Sequence, residues 1–564
     1  MLQIHVTKNI RIRGASTPLK ASITKALTMD NPAFIEAVKK RRPTFGLDKK
    51  ITLYLYDQGD LIAPRGFLSE LKEILVNTGI DPLKVIVYRQ IEGKQINFGP
   101  WNEAFKLRSD QLPLVAALVD ENGVGVAPAG SGKTIMGMHY IYEIGRPTLW
   151  LTHTKDLMYQ TKERAESTLL GVGNIGLLGD GTQNWGDGKL IIATVQTLQA
   201  NPKLVEALEQ IIGVVVIDES HHFPAIQFIN VAGQFSAARI IGLTATPDRK
   251  DMLEKYMFMG IGPQRYVIDR QGLYDSGRLI KPEVKFVFTK FQYEQASDVS
   301  DVGAVDAGGE DLDYNALITR LINDKGRAEL IAENILENAS RGTNIVITES
   351  VRYCFYLRDM VEKLARLKWG VVPRMAVVHG GLQRYAWRVI KGQNEGIALV
   401  EAGEANDYRF DSKARRWKAK VKQYTDAEFE AWQVTSKQRK EILAAVTNKE
   451  YDILFATQLA REGLDIPHLA VGHLAMPKRG DAQGSKNGSA VEQEIGRIQR
   501  PDPINPNKKA LWLDYVDYEV GVLQAQYYSR RKVYKRLGLT VPGKAKTSKA
   551  EIDLIDSFLG NMPL

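Results

Sequence analysis

The stretch that most restricts what this chain can fold into is Ala127-Pro128-Ala129-Gly130-Ser131-Gly132-Lys133-Thr134. An apolar run, 112–119, precedes it, and Ile135-Met136-Gly137-Met138 behind it reads as the first turn of a helix. A small glycine-bearing loop between two regular elements lets backbone N–H groups point at phosphate oxygens. The helix N-terminus adds a favourable dipole and Lys133 a point charge. The strict phosphate-loop pattern has glycine where this chain has Ala127, so the match is to the looser form ending in Gly-Lys-Thr.

Segments downstream supply what such a loop needs. Thr148–Thr152 and Leu190–Thr194 read as short buried strands that end in small polar residues, and ligands of parallel sheets sit at such carboxyl ends. The run 212–218 is an apolar strand closing on Asp218 and Glu219. Together with Thr134, Asp218 is placed to hold Mg²⁺ through water, and Glu219 to orient and deprotonate an attacking water. Carboxylates at a strand end also occur as plain helix caps. The order of loop first and acidic strand end later is what an ATPase sheet requires. Ahead of the loop stands Gln111, whose amide can both accept from and donate to adenine.

At 564 residues the chain has room for about two to four domains. With 44% hydrophobic and 25% charged residues it has the composition of a globular protein. Its 75 basic against 66 acidic residues give a net charge of +9, a surplus compatible with a polyanionic partner and equally with a solvated surface. The single cysteine, Cys354, cannot form an internal disulfide; among Tyr353, Phe355 and Tyr356 it reads as a packed residue, and a cytoplasmic location is expected. No apolar run approaches the roughly 20 residues of a membrane span, and residues 1–13 lack the apolar core of a signal peptide. The pair His221-His222 has no further Cys or His at ligand spacing, which argues against zinc. No nuclease pattern of carboxylates and lysine is present.

Residues 1–99 read as a small α+β module, with strands at 51–56 and 85–88 and a helix at 66–79. Its basic cluster 39–43 suits phosphate contact and edge protection equally well. A first α/β domain is expected over 100–272 and a second over 278–518, the latter holding a glycine-bearing acidic linker at 298–313 that reads as a flexible surface loop. The tail, 519–564, contains an aromatic and basic stretch at 527–536 with helical potential, fit either to brace the second domain or to touch a phosphate backbone. A last amphipathic segment is expected at 550–559.

Four further segments carry a resemblance. Asp218-Glu219-Ser220-His221 and Gly242-Leu243-Thr244-Ala245-Thr246-Pro247 resemble the DExH box and motif III of superfamily 2 helicases. Arg461-Glu462-Gly463-Leu464-Asp465-Ile466-Pro467, after the strand-like run 451–457, resembles motif V, and Gln493-Glu494-Ile495-Gly496-Arg497-Ile498-Gln499-Arg500-Pro501 resembles motif VI. Thr244 to Asp251 and Gly463 to Pro467 are most similar to the XPB-like branch, which includes phage branch-remodelling helicases of the UvsW type. The resemblance implies an α/β fold of two tandem RecA-like parallel-sheet domains, with the small N-terminal α+β domain ahead of them. It implies an ATP hydrolase, a DNA helicase or translocase of repair and recombination with 3′–5′ polarity, using ATP and Mg²⁺ between the two domains.

Residue by residue, the resemblance assigns the nucleotide to Gln111, Ala129, Gly130, Ser131, Gly132, Lys133, Thr134, Gly463 and Asp465. Catalysis falls to Lys133, Asp218, Glu219, Gln493, Arg497 and Arg500. The two arginines, three apart, are expected on one helix face as arginine fingers. His221, Thr244 and Thr246 couple hydrolysis to movement. Thr152, Lys155, Thr194, Gln196, Thr348 and Thr457 contact the nucleic acid, mostly through its backbone, so sequence specificity is expected to be low. One departure is an insertion in the second domain, 382–435, followed by a helix at 436–446. Inside it Arg415, Arg416, Trp417 and Lys418 combine cations with a ring, the ingredients of a strand-gripping element; a solvated helix packed on the motor is the alternative. An RNA helicase, a duplex translocase without strand separation, and a nucleic-acid binding protein switched by ATP remain open.

Overall fold

The computed structural model describes residues 2–39, 43–219, 231, 233–245, 254–293, 314–389, 405–411, 416–457, 466–480 and 489–541. His221, Thr246, Arg415, Gly463 and Asp465 lie outside these, as do the side chains of Arg416, Trp417 and Lys418, the linker 298–313 and the segment 550–559. The chain divides into two units: Met1–Phe288 with Pro477–Trp512 and Val516–Leu564, and Thr289–Met476 with Leu513–Tyr515.

In the first unit the N-terminal strands are β1 (Gln3–Val6), β2 (Asn9–Arg13), β3 (Thr28–Asp30), β4 (Lys50–Thr52), β5 (Leu55–Asp57), β6 (Asp60–Pro64) and β7 (Ile86–Tyr88). A five-stranded sheet has the order β5-β6-β2-β1-β7. Alternation sends Ile4, Ile10, Ile12, Leu61 and Ala63 to one face. There they meet Leu19 and Ile23 of α1 (Thr17–Ala26) and Leu71 and Leu75 of α2 (Leu68–Asn77). The expected single strand at 51–56 is instead two. Leu53 donates its N–H to the Leu27 carbonyl at 2.8 Å, turning the chain, so β4 pairs with β3 while β5 pairs with β6.

Backbone hydrogen bonds and a buried cation join this module to the segment 236–238. Ile91 N–H donates to Ser236 O and Ala238 N–H to Ile91 O, both at 2.7 Å. Arg65, 5% exposed, donates Nη2 to Ala238 O at 2.7 Å. Burial pulls that guanidinium down to about 10, still cationic at neutral pH.

The large sheet of this unit has eight strands: β8 (Gly123–Val126), β9 (Thr148–Thr152), β10 (Ile175–Gly179), β11 (Thr182–Gly186), β12 (Leu190–Thr194), β13 (Val214–Asp218), β14 (Arg239–Thr244) and β15 (Gln264–Val267). Their order is β11-β10-β12-β9-β13-β14-β8-β15, parallel except for the edge pair β10/β11. The near-continuous apolar strands reflect burial on both faces. Trp150, Val214, Val216 and Leu243 pack toward α3 (Leu112–Asp120) and α4 (Lys133–Ile144), whereas Leu149, Leu151, Val215 and Ile217 pack on the other side with Leu198, Val205 and Leu208. Register sets Thr152 against Thr194 and Ile217 against Gly242, so the functional positions gather along one edge. Also in this unit are α5 (Lys155–Thr168), α6 (Arg270–Asp275) and β16 (Glu283–Phe288).

The second unit carries β17 (Thr343–Ile347), α7 (Val351–Trp369), β18 (Met375–Val378), β19 (Tyr385–Val389), β20 (Ala405–Asp411), β21 (Arg416–Lys422), α8 (Ser436–Thr447), β22 (Ile453–Ala456) and β23 (Leu469–Leu474). Leu513–Tyr515, the middle of β24 (Leu511–Val516), flanks β23, followed by β17, β22 and β18. The pairs β17/β22, β17/β23 and β18/β22 are parallel, so both units hold a RecA-like sheet. The basic run of the insertion is not a helix: β20 and β21 form an antiparallel sheet with β19 in the order β19-β21-β20. Alternation of Arg416, Lys418, Lys420 and Lys422 with Trp417, Ala419 and Val421 has the period of a strand, and that pattern decides the local structure. The helix expected at 436–446 is α8, opened by a capping box between Thr435 and Gln438. The single cysteine is in the core beside α7's other buried residues, and burial pushes its thiol up to about 12.

Two helices late in the chain belong to the first unit: α9 (Ser489–Gly496) and α10 (Gly521–Arg536).

Candidate nucleotide site

The loop after β8 is held from both sides. Ala127 N–H donates to Thr244 O at 2.9 Å, tying the loop to β14. Gly130 and Gly132 have φ of 82° and 92°, a left-handed backbone that glycine adopts at no steric cost and other residues adopt only under strain. Gly132 lies at the N-terminus of α4, which opens with Lys133 and Thr134. A Cβ on Gly132 would lie 2.7 Å from Gln111 Nε2, so the close approach also excludes a side chain.

Gln111 is 2% exposed and acts on the loop itself. Its Nε2 donates to Ser131 O at 2.8 Å and its Oε1 accepts from Arg108 N–H at 3.0 Å. Arg108, which no sequence motif singles out, donates Nη2 to the same Ser131 carbonyl at 3.0 Å and is steered by Asp110 at 2.8 Å. Ser131 Oγ is buried and has no hydrogen-bond partner among the described residues. Buried hydroxyls ordinarily have one. An orphaned hydroxyl beside a helix N-terminus and a lysine fits a phosphate oxygen, and the loop passes this test for a triphosphate.

At the end of β13, Asp218 is 5% exposed and Glu219 takes φ of 49°. Such a backbone costs a non-glycine residue about 1–3 kcal/mol and is typical of functional sites. Glu219 N–H donates to Asp218 Oδ1 at 3.0 Å, while Glu219 Oε1 lies 3.2 Å from Lys133 Nζ. Burial, and then the charge of Glu219, push the Asp218 carboxyl up to about 7, with Lys133 pulling the other way. A divalent cation at this position would favour the ionised carboxylate, and Thr134, half-buried at the start of α4, is the hydroxyl on the loop side.

The arginine-bearing segment belongs to the same unit. A Cβ built on Gly496 would lie 2.8 Å from Ala129 Cβ, so only glycine lets α9 approach the loop this closely. A Cβ on Gly130 would lie 3.5 Å from Arg500 Cγ and 3.7 Å from its Nε. Burial, with Arg164 nearby, draws Arg500 down to about 10, so it stays cationic at neutral pH. The expectation that Arg497 and Arg500 share a helix face is corrected: α9 ends at Gly496 and the chain continues in a turn, with Arg497 N–H donating to Glu494 O at 3.2 Å. Pro501 explains the stop, since it has no N–H for a further helical bond and disfavours a helical Arg500. Gln493 lies on α9 and, like Arg497, is half-buried.

Four residues expected at the nucleic acid cluster where β9 and β12 end. Thr152 is fully buried, Thr194 Oγ1 is 2.8 Å from Thr197 Oγ1, Gln196 Nε2 donates to His153 O at 3.1 Å, and Lys155 pairs with Asp180 at 3.2 Å. Thr244 closes β14 and is 0% exposed. In the second unit Thr348 and Thr457 close the neighbouring strands β17 and β22. Thr348 Oγ1 already bonds Ser350 O at 2.9 Å, so its hydroxyl must change partner to meet a phosphate. Among the described residues no helix is long and apolar enough to cross a membrane.

Two family models match the chain: the type III restriction enzyme res subunit over residues 104–249, and the helicase conserved C-terminal domain over residues 411–502. The chain is similar to a DNA 3′-5′ translocase, XPB2, of Sulfurisphaera tokodaii, 25% identical over 73% of this chain and 82% of that protein. It is also similar to the XPB helicase/translocase subunit of the general transcription and DNA repair factor IIH of Encephalitozoon cuniculi, 30% identical over 28% of this chain and 25% of that one. A Halobacterium salinarum protein named Rad25 is 29% identical over 31% of this chain, and the chain spans 30% of its length. The solved structure of T4 UvsW aligns over 95% of this chain and 97% of its own, at 14% identity and a TM-score of 0.37, a likeness too weak to bear on function.

Proposed function

Because the chain belongs to the superfamily 2 helicases, in their XPB-like branch, we propose that it is an ATP-driven DNA helicase or translocase that works 3′–5′ on forked or branched DNA. The DNA substrate and the direction are carried over from the names of the relatives, and the junction substrate from the resemblance of the motifs. The hydrolytic part rests on one observation: Lys133 and Glu219 form a 3.2 Å ion pair at the mouth of the phosphate loop, with Asp218 behind them and Arg500 beside Gly130.

In this reading the incoming triphosphate takes Lys133 away from Glu219. Its oxygens accept from Lys133, from the N–H groups at the start of α4 and from Ser131 Oγ. Glu219, released, turns its carboxylate to a water in line with the γ-phosphoryl group and accepts the water's proton. Mg²⁺, held on the protein side by Thr134 and Asp218, supplies charge neutralisation to the phosphates when bound. Arg500 and Arg497 stabilise the charge on the transferring group, and Gln493 completes that side. Gln111 and Arg108 hold the loop by its Ser131 carbonyl, which fixes the cradle before the nucleotide arrives. Thr244, at the end of the strand that carries the Ala127 hydrogen bond, links loop and motif III; His221 and Thr246 share that coupling role by resemblance, as Gly463 and Asp465 share in nucleotide contact. Thr152, Lys155, Thr194, Gln196, Thr348, Thr457 and the basic strand β21 contact the nucleic-acid backbone.

The test is steady-state ATP hydrolysis with no nucleic acid, single-stranded DNA, duplex DNA, forked DNA and RNA, paired with unwinding of forks and four-way junctions carrying single strands of either polarity. Stimulation by forked DNA with displacement from the 3′–5′ direction is the expected result. Greater stimulation by RNA, or by duplex without strand separation, would replace DNA unwinding with one of those activities. Turnover indifferent to every polymer would reduce the protein to an ATP-switched binder.

A further inference from the structure

The residues that hold the arginine-bearing segment in place come from outside the segments that suggested its role. Glu492, directly before Gln493 on α9, is 3% exposed. Its Oε1 accepts from Arg270 Nη2 on α6, and its Oε2 lies 3.9 Å from Arg536 Nη2 at the end of α10. Burial pushes the Glu492 carboxyl up, against the pull of Arg270, Arg536 and Lys133, and Glu219 pushes it further. α9 itself reaches the phosphate loop, where a Cβ on Gly496 would lie 2.8 Å from Ala129 Cβ.

The surrounding contacts tie these helices to the non-helical segments 478–480 and 497–499. Arg270 Nη1 also lies 3.5 Å from Gln499 Oε1, and Gln499 Nε2 donates to Tyr274 OH at 2.7 Å. Glu494, 0% exposed, accepts from Lys478 Nζ at 2.7 Å, and Arg530 of α10 donates to the Lys478 carbonyl at 2.6 Å. Ser529 Oγ accepts from Gly480 N–H at 2.7 Å. α10 thus holds the segment 478–480, and α6 holds α9 itself.

We propose that Glu492 is a positioning residue for the arginines, and that Arg270 must cancel its charge for a triphosphate to bind at the adjacent loop. The inference rests on the ATPase function proposed for this site. Because α9 meets the loop at Gly496, an uncancelled carboxylate on this helix would repel the phosphoryl oxygens bound there. Losing one partner of a buried pair leaves an uncompensated charge, whereas losing both removes the problem. Arg536 extends the device to α10.

The experiment compares wild type, R270M, R270K, E492Q and the R270M/E492Q double variant of the full chain, by equilibrium binding of a fluorescent ATP analogue and by steady-state ATP hydrolysis. R270M should weaken nucleotide binding about tenfold, and the double variant should regain it to within about threefold of wild type, the coupling expected of contacting charges. R270K should keep binding. E492Q alone should bind nucleotide at least as tightly as wild type but turn over more slowly, because α9 loses its anchor. If the double variant binds no better than R270M, or R270M binds as wild type does, the proposal fails. If R270M does not fold, E492Q and R270K decide: weaker binding in E492Q or in R270K overturns the proposal. The binding arm needs no turnover, so an inactive wild type that still binds nucleotide would sink the ATPase function and leave this inference standing.

Discussion

At the end of β13 one lysine faces two carboxylates, whereas on the N-terminal sheet two arginines face two, although Asp218 and Asp60 are each only 5% exposed. Arg11 lies 3.0 Å from Asp60 and also pairs with Asp57, and Arg13 lies 2.9 Å from Asp60 with its side chain 61% exposed. Arg13 first and Arg11 second hold the Asp60 carboxyl below the usual range, while burial holds Asp218 far above it. Asp218 and Asp60 are equally enclosed and shift in opposite directions, because desolvation and a neighbouring carboxylate oppose charge at one place and hydrogen-bonded guanidinium groups favour it at the other. The arginine cluster links β2, β5 and β6. The cluster at β13 keeps a carboxylate poised to ionise when a cation arrives, and the fold carries that cost.

Three substitutions sharpen the contrast. Arg500→Ala removes the cation nearest Gly130 and should lower ATP turnover about a thousandfold or more, with a smaller effect on nucleotide binding. Measuring turnover and nucleotide binding on one preparation separates the two; equal losses in both would make Arg500 a ground-state ligand.

Asp218→Asn should abolish Mg²⁺-dependent turnover and yet stabilise the empty protein. A carboxyl raised in the folded state contributes stability below its ordinary range, around pH 3.8, and that contribution is lost as pH climbs to about 7. The variant escapes that loss, so at pH 8 it should be more stable by at least about 1 kcal/mol, with the advantage vanishing in acid. Thermal unfolding across that pH range without nucleotide measures it; a variant less stable at pH 8 would contradict the account.

Arg13→Ala should have the smallest effect. Asp60, lowered by its partners, contributes stability that is present above its ordinary range and lost as pH falls through the lowered folded value. The variant should unfold at a slightly lower temperature at neutral pH, less so in high salt or in acid, with ATP turnover unchanged. A change in turnover would mean that the N-terminal module acts on the site.

The sequence discloses the order of loop, apolar strands and acidic strand end because each is a local pattern whose chemistry constrains its residues. It discloses less where partners are remote. Nothing near Arg270 points to Glu492, 222 residues away, and neither residue lies in a patterned stretch. Arg108 is legible in principle, since it precedes Gln111 by one turn and donates to the same carbonyl. The split at Leu53 is hidden because an alternating run does not show where the chain turns to reach a second sheet. The helix end at Gly496 is legible in Pro501, but the three-residue spacing of Arg497 and Arg500 favours a longer helix. For the basic strand β21 the period-two alternation is present in the residues, masked by their density of charge and rings.

The central claim is that Glu219, which pairs with Lys133, becomes the group that activates water once a triphosphate is bound. Glu219→Gln tests it most directly, by nucleotide binding and by ATP hydrolysis in the presence of forked DNA. The account predicts binding as tight as wild type or tighter and turnover reduced by about 10²–10⁴. Turnover equal to wild type in that variant would contradict it.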